Sequence, residues 1–499
     1  MRLSDRHSEV SRGHSTPMYR EKARTVPLDK RGKWSGWQDT QLMGTERQKI
    51  QMELAFMAEG RGETPMAADK GTEVSMAKRE PEDPALTVLL MEQIGQHENL
   101  RKALQRVRQN KGSPGIDGMT VNKLPGYLKK HWPQIREQLL AGTYSPKPVK
   151  RVEIPKSNGG IRKLGIPTVL DRFIQQAMMQ VLQTYWDKTF SEHSYGFRPG
   201  RSAHQAISRS QQYVEQGYRW VVDIDLEKFF DRVNHDKLMG NLAQRVRDKR
   251  LLKVIRAFLN AGVMENGLVS ATREGAPQGG PLSPLLSNVV LDELDRELER
   301  RGHRFIRYAD DCNIYVRSER AGQRVMENIS NFITRTLKLK VNPTKSKVDR
   351  PWRCKFLGFR ITVGKQTKRS IAPSSLSRFK ERVRKLTCYR RGVTIEQMIE
   401  NLNRYLIGWR GYFGYCQSPS VLQVLDGWIR RRLRCVYWRR WKRGKKRFAE
   451  LRRLGVGRDL AAQTAGSVHG PWRISRSPAL SYAFPSAHFN SLGLALLAG

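Results

Sequence analysis

Two carboxylates stand side by side in Tyr308-Ala309-Asp310-Asp311, between the β-like runs Arg304–Arg307 and Cys312–Val316. Two such runs joined by a tight connection predict a hairpin that carries the acids. Adjacent carboxylates repel and call for a cation. Mg²⁺ suits them, because it takes carboxylate oxygen and leaves coordination positions for phosphate. A second acidic strand is predicted upstream, Val221-Val222-Asp223-Ile224-Asp225-Leu226, followed by Glu227-Lys228-Phe229-Phe230-Asp231. Period-two alternation puts Asp223 and Asp225 on one face and Val222, Ile224 and Leu226 on the other. Spacing alone does not separate the two aspartates. A strand carboxylate opposite a hairpin pair is the set that two-metal phosphoryl chemistry uses, activating the attacking hydroxyl and stabilising the leaving oxygen. Taken singly, a Y-x-D-D tetrapeptide is more simply a capped turn, since Asp is common there. The rest of the chain has to decide.

The elements that must position these acids occupy about 150 to 365, where strands and helices intermix as in an α/β or α+β unit. Three segments there are rich in glycine and polar residues, the composition of functional loops. In Ile154–Pro167, Lys156 and Arg162 flank Gly159-Gly160, so both cations could close on one phosphate chain. The others are Ser194-Tyr195-Gly196-Phe197-Arg198-Pro199-Gly200-Arg201-Ser202-Ala203 and Gly275-Ala276-Pro277-Gln278-Gly279-Gly280-Pro281-Leu282-Ser283-Pro284. Each alone reads as an ordinary surface turn.

The 499 residues hold 91 Lys+Arg against 47 Asp+Glu, a net charge of +44 that implies a large polyanionic partner. Residues 1–85 are polar with weak periodicity and are expected to be mostly disordered, with a short helix around Ile50–Met57. Leu89, Leu90, Ile94, Leu100, Leu104 and Val107 then recur at helical spacing, up to Gly112-Ser113-Pro114-Gly115. Apolar stripes at Leu376, Phe379, Val383 and Leu386, and at Ile395, Met398, Ile399, Leu402, Leu406 and Trp409, read as core-facing helices. The five cysteines are scattered without a C-x-x-C pair, which argues against a zinc ribbon and fits a reducing compartment. No apolar run approaches the length of a membrane span, and the N-terminus lacks the apolar core of a secretory signal.

The most basic stretch, Trp428–Arg453, has 13 Lys+Arg and Glu450 as its acid. Arg430, Arg431, Arg432 and Arg434, with Lys442, Arg443, Lys445 and Lys446, are the candidate phosphate contacts. Ile429, Leu433, Val436, Tyr437 and Trp441 can form one buried stripe that leaves the arginines on the other face; Trp438, Trp441 and Phe448, interleaved among the cations, are also candidates to stack on bases.

In this order the blocks resemble the reverse transcriptases encoded by group II introns, from about Leu90 to the C-terminus. The resemblance includes Lys355-Phe356-Leu357-Gly358-Phe359, which ends the palm in that family. It continues into Gly408-Trp409-Arg410-Gly411-Tyr412-Phe413 of the maturase, or thumb, domain. The wording is closest to bacterial class C members, and the C-terminal DNA endonuclease domain of other classes has no counterpart here.

The resemblance implies an α+β right-hand polymerase of fingers, palm and thumb. Its expected divisions are 1–85 as a disordered extension, 86–150 as N-terminal helices and the start of the fingers, 151–365 as fingers and palm, 366–455 as maturase/thumb, and 456–499 as a basic, DNA-contacting tail. It further implies that Asp225 and Asp310 hold two Mg²⁺ ions with Asp311 in support. Lys156 and Arg162 grip the dNTP triphosphate, Gln278 touches the sugar, and Phe230 is a gate that leaves no room for a 2′-hydroxyl. Lys345 is a possible general acid, or a plain surface lysine.

The implied partners are group II intron RNA, target DNA and a primer–template duplex, with no membrane. The setting is a ribonucleoprotein in the bacterial cytoplasm, and the oligomeric state stays open, a monomer being possible. RNA-templated DNA synthesis competes with a pure RNA-binding splicing cofactor, and with a domesticated polymerase. The intact acids favour the first reading, and the basic thumb accords with the second.

Overall fold

The structure is a computed structural model that describes residues 89–155, 160–265, 268–270, 274–275 and 279–499. The expected disordered segment and its short helix lie outside the described residues, as do Lys156 and Gln278. In chain order the elements are α1 (Leu90–Ile94), α2 (His97–Gln109), α3 (Leu124–Ala141), β1 (Val149–Pro155), β2 (Ile161–Ile166), α4 (Val169–Trp186), α5 (Ala203–Glu215) and β3 (Trp220–Asp225). There follow α6 (His235–Ala243), α7 (Lys249–Asn260), β4 (Val263–Glu265), β5 (Leu268–Ser270), α8 (Ser283–Arg300), β6 (Arg304–Tyr308), β7 (Asp311–Val316), α9 (Glu319–Arg335) and β8 (Lys347–Asp349). The remainder comprises β9 (Phe359–Thr362), β10 (Lys368–Ile371), α10 (Pro373–Leu386), α11 (Ile395–Phe413), α12 (Pro419–Arg440) and α13 (Gly444–Arg453). Short helices α14 (Arg458–Ala465), α15 (Pro471–Ile474), α16 (Pro478–Ala483) and α17 (Ser486–Ser491) complete the order. This is an α+β fold.

Two four-stranded sheets organise the first half. The first runs β2-β1-β4-β5. In it β1 and β2 form an antiparallel hairpin with Ile154 opposite Arg162, while β1 meets β4 in parallel through Val149 and Val263. The second runs β6-β7-β3-β8, antiparallel throughout, with β3 between two strands that come later in the chain.

Alternation sorts the two faces of this second sheet. Val222, Ile224, Phe305, Cys312 and Ile314 point into one core, shared with α4 and α8 residues such as Phe173 and Leu291. Val221, Ile306 and Tyr315 join the other core, with Ile207 of α5 and the apolar faces of α10, α11 and α12. The stripes expected at Phe379, Val383 and Leu386 and at Met398, Ile399, Leu402, Leu406 and Trp409 are buried there. Leu89 departs from the expected stripe and is 55% exposed, because it precedes the first helix.

Polar side chains fix the ends of the elements. Thr168 caps α4, and its hydroxyl donates to the buried Asp171, which also accepts from Tyr144 Oη at 2.8 Å. Ser202 and Gln205 form a capping box on α5, so the Arg198–Ala203 segment serves as a helix start. At the N-terminal end Arg250 bonds both Glu92 and the buried Asp248, and Asp248 accepts from the Met91 backbone, tying α1 to α7.

Candidate active site and nucleic-acid interface

Strand β3 ends at Asp225, directly opposite Asp311 of β7, with Asp223 opposite Asn313. Tyr308 pairs with Asp311 across a two-residue connection, Ala309-Asp310. Ala309 has φ +57°, a left-handed conformation usually given to glycine in such a hairpin.

A non-glycine residue stays there only if its surroundings enforce it, and two supports do so. The Arg307 guanidinium, fully buried, donates to the Ala309 carbonyl at 2.9 Å while also binding Asp295, Asn288 Oδ1 and Ser194 Oγ. The Gly196 backbone lies against the turn so closely that a Cβ there would overlap Ala309. Asn288 Nδ2 in turn holds the Gly196 carbonyl at 2.9 Å. The Ser194–Ala203 block is thus a buttress of the acidic turn. Arg307, absent from the expected site residues, is its centre; a strand arginine two residues before the turn was its only signal in the sequence.

The acids repel one another. Asp223 is pushed up to about 6 by burial and by the Asp225 charge, against the pull of Lys347. Asp310 is raised by burial and by Asp225, although its own backbone N–H, Arg162 and Arg307 pull the other way. Burial, then Asp223, Asp310 and Asp225, push Asp311 well above the usual carboxylate range, with Lys355 opposing. Such a cluster is neutralised either by protons or by a multivalent cation. Among the described residues no group of three or more His, Cys, Asp or Glu side chains is placed to hold a metal ion together. That donor set fits a divalent ion that is held by one or two carboxylates and completes its shell with water and phosphate oxygens.

Around the acids, Arg162 is exposed on β2 and lies near enough for its charge to act on Asp310. Phe230 sits in the tight turn Phe229–Asp231 after β3. Phe229 is buried in the core, while the Phe230 ring, 5.1 Å from it, stays half-exposed. Gly275 packs on the backbone of Phe230 and Asp231, and a Cβ on Gly279 would clash with the Gly165 carbonyl. Gly275 thus lies against the turn carrying Phe230, and Gly279 against β2. Lys345 Nζ is 3.3 Å from Asp225 Oδ2, both groups being well exposed.

In the helical half the basic stretch divides. Lys442, Arg443, Lys445 and Lys446 are exposed, Lys446 pairing with Glu450 at 2.9 Å. Arg430 is half-buried. Arg431 donates to the Trp472 carbonyl and stacks 3.8 Å over its ring, Arg432 donates to Thr387 Oγ1, and Arg434 donates twice to the Phe484 carbonyl. These three clamp α12 to its neighbours.

The expected stacking by Trp438 and Trp441 is corrected, and the buried stripe of Ile429, Leu433, Val436 and Trp441 is present. The Trp438 and Trp441 side chains are 1% and 8% exposed within the core of α12, so neither offers a face to a base. The segment expected as a basic tail is also corrected. Residues 456–499 carry only Arg458, Arg473 and Arg476 as arginines, with no lysine, and form four helices whose apolar residues Ala461, Leu480 and Phe489 are fully buried. Asp426 of α12 accepts the backbone N–H groups of Leu497 and Ala498.

A palm-like antiparallel sheet presenting acids at a hairpin, next to a cationic finger strand and a basic helical domain, defines a nucleotidyl-transfer polymerase. Residues 154–361 match the reverse transcriptase (RNA-dependent DNA polymerase) family, and residues 376–455 match the group II intron maturase-specific domain. Protein YkfC of Escherichia coli (strain K12) is 34% identical over 53% of this chain and 81% of its own. The group II intron-encoded protein LtrA of Lactococcus lactis is 30% identical over 52% of this chain and 54% of its own. Among solved structures, a chain of a partial Cas6-RT-Cas1–Cas2 complex is 25% identical, with a TM-score of 0.33, over 49% of this chain and 42% of that one. The chain belongs to the reverse transcriptases that carry a group II intron maturase-specific domain. Its enzymatic class is that of an RNA-directed DNA polymerase, a family that works with divalent metal ions. Among the described residues no helix is long and apolar enough to cross a membrane.

Proposed function

We propose that this protein binds a group II intron RNA, assists its splicing and copies it into DNA during retromobility, within a ribonucleoprotein in the bacterial cytoplasm. The observation that carries the polymerase half is the facing of Asp225 and Asp311 beside Asp310, where burial and the neighbouring carboxylates raise Asp310 and Asp311 despite the cations nearby. Asp225 and Asp310 would hold two Mg²⁺ ions, with Asp311 in support. Bound there, the metal would supply activation of the primer hydroxyl and charge stabilisation of the leaving pyrophosphate. The chain's own groups position the nucleotide. Arg162, with Lys156, grips the dNTP triphosphate through charge-assisted contacts; Gln278 reaches the sugar; Phe230 fills the space a 2′-hydroxyl would need. Arg307 and Gly196 hold the acidic turn in place.

The RNA-binding half rests on the exposed Lys442, Arg443, Lys445 and Lys446, with the half-buried Arg430 of α12 as a further candidate. Primer–template duplex and target DNA complete the partners. An RNA-binding splicing cofactor with incidental polymerisation is the second reading, favoured by that basic surface alone. The test is extension of a DNA primer on an RNA template with dNTPs and Mg²⁺, run beside splicing of a group II intron RNA. Splicing assistance with no extension by the wild-type protein would leave the second reading standing.

A further inference from the structure

We propose that the cleft between α10 and α12 is a phosphate-binding pocket, formed by Arg384, Arg432 and Arg439 around Thr387. The cleft is also lined by Cys388 and Tyr389. Three guanidinium groups converge on it, and no carboxylate is among the lining residues. Several exposed cations elsewhere in this half have acidic partners: Lys446 and Arg453 share Glu450, Arg404 pairs with Glu400, and Lys385 pairs with Glu381. In the pocket the hydrogen-bond and ring partners of the arginines are neutral, although the charge of Arg384 also acts on Glu381 one turn back along α10. Arg432 reaches Thr387 Oγ1 with two contacts of 3.3 Å, while that hydroxyl gives its own proton to the Val383 carbonyl at 2.7 Å. Arg439 lies 5.0 Å over the Tyr389 ring and Arg384 5.7 Å over Trp428.

Aromatic faces and a hydroxyl orient the guanidiniums without cancelling their charge. Burial lowers the proton affinity of Arg432, and the charges of Arg439 and Arg384 lower it further. An anion with several acceptor oxygens relieves that repulsion and matches the planar donor forks, and phosphate is such an anion. The pocket is distinct from the Lys442–Lys446 surface, and it lies on helices, which hold their donors in fixed places. Only the source of the phosphate, the backbone of a bound RNA, rests on the proposed function. Pyrophosphate is the alternative source of the same chemistry.

Cys388 on the lining reports occupancy. In the full-length protein, its alkylation rate is followed by peptide mass spectrometry with no ligand, with pyrophosphate, or with a single-stranded RNA oligomer; Cys416 is the internal control. The expected result is protection of Cys388 by RNA of about tenfold. The variant Arg384→Gln/Arg439→Gln should lose that protection. Its slope of log K against log salt should be shallower by about 1.4, at roughly 0.7 per lost single-strand contact. Replacing two exposed arginines elsewhere, Arg300→Gln/Arg335→Gln, should leave the slope within error. Protection by pyrophosphate alone would keep the phosphate pocket and remove RNA as its source. Protection by neither ligand, with an unchanged slope in the variant, overturns the pocket. If the wild-type protein binds no RNA at all, the proposed function falls, and the pyrophosphate measurement still judges the pocket.

Discussion

Arg307 Nη2 lies 2.6 Å from Asp295 Oδ2, and neither side chain has any exposed surface. The same guanidinium holds the carbonyl of Ala309, so an ion pair in the interior fixes the backbone that presents Asp310. Arg307→Met should destabilise the protein by about 3 to 5 kcal/mol, because it leaves Asp295 buried without its partner. Arg307→Met/Asp295→Leu should recover much of that loss in a denaturant titration. Extension should stay impaired in the double variant, since the left-handed Ala309 then loses the Arg307 bond to its carbonyl and keeps only the Gly196 backbone against it. Full recovery of both stability and activity would show that the pair has no part in positioning the turn.

Asp310→Asn keeps the side-chain volume and removes a charge from a repelling cluster. The melting temperature without metal should hold or rise. Extension should slow on the order of a thousandfold, about 4 kcal/mol of barrier. RNA binding should persist, because the basic surface is untouched. Wild-type extension rates in this variant would remove Asp310 from the metal set.

Phe230→Ala removes a half-exposed ring beside Phe229. It should cost less than the roughly 3 to 5 kcal/mol typical of a fully buried aromatic. Incorporation of rNTP relative to dNTP should rise, measured by single-nucleotide extension on one template. Retained activity with unchanged selectivity would take Phe230 out of the gate.

In the thumb the two kinds of cation should separate in experiment. Lys442→Gln/Arg443→Gln/Lys445→Gln should weaken RNA binding and flatten its salt dependence by up to about one unit per lost contact, with stability unchanged. Arg434→Gln, by contrast, breaks two bonds to the Phe484 carbonyl. It should lower stability by about 1.5 to 3 kcal/mol, the range for hydrogen bonds to charged groups.

The acidic strand and the hairpin were legible because both are local patterns. Alternation over Val221–Leu226 and two β-runs around Asp310-Asp311 need only neighbouring residues to be read. Arg307 was not legible as a scaffold, because its partners Asn288, Asp295 and Ser194 come from a helix and a loop up to 113 positions away. The basic helix misled in a similar way. Trp438 sits among arginines in the chain, yet α12 is packed on several sides and the ring turns inward. The guanidiniums of Arg431 and Arg434 find their acceptors in residues 472–484, which the resemblance had marked as a tail. Even the Ser194–Ala203 block, which could be picked out as unusual, gave no hint that Gly196 is small because a backbone lies against it.

The placement of β3 between β7 and β8 has a consequence for how the chain is made. When Trp220–Asp225 leaves the ribosome, both of its partner strands are still unsynthesised, and the second, Lys347–Asp349, follows more than a hundred residues later. Until then Val221, Val222 and Ile224 have no sheet to join, and pairings of such long sequence separation are slow to form. The nascent protein therefore spends much of its synthesis with an apolar strand uncovered. Its yield in a host should depend on translation speed and on chaperones that cover such strands, even where the finished molecule is stable.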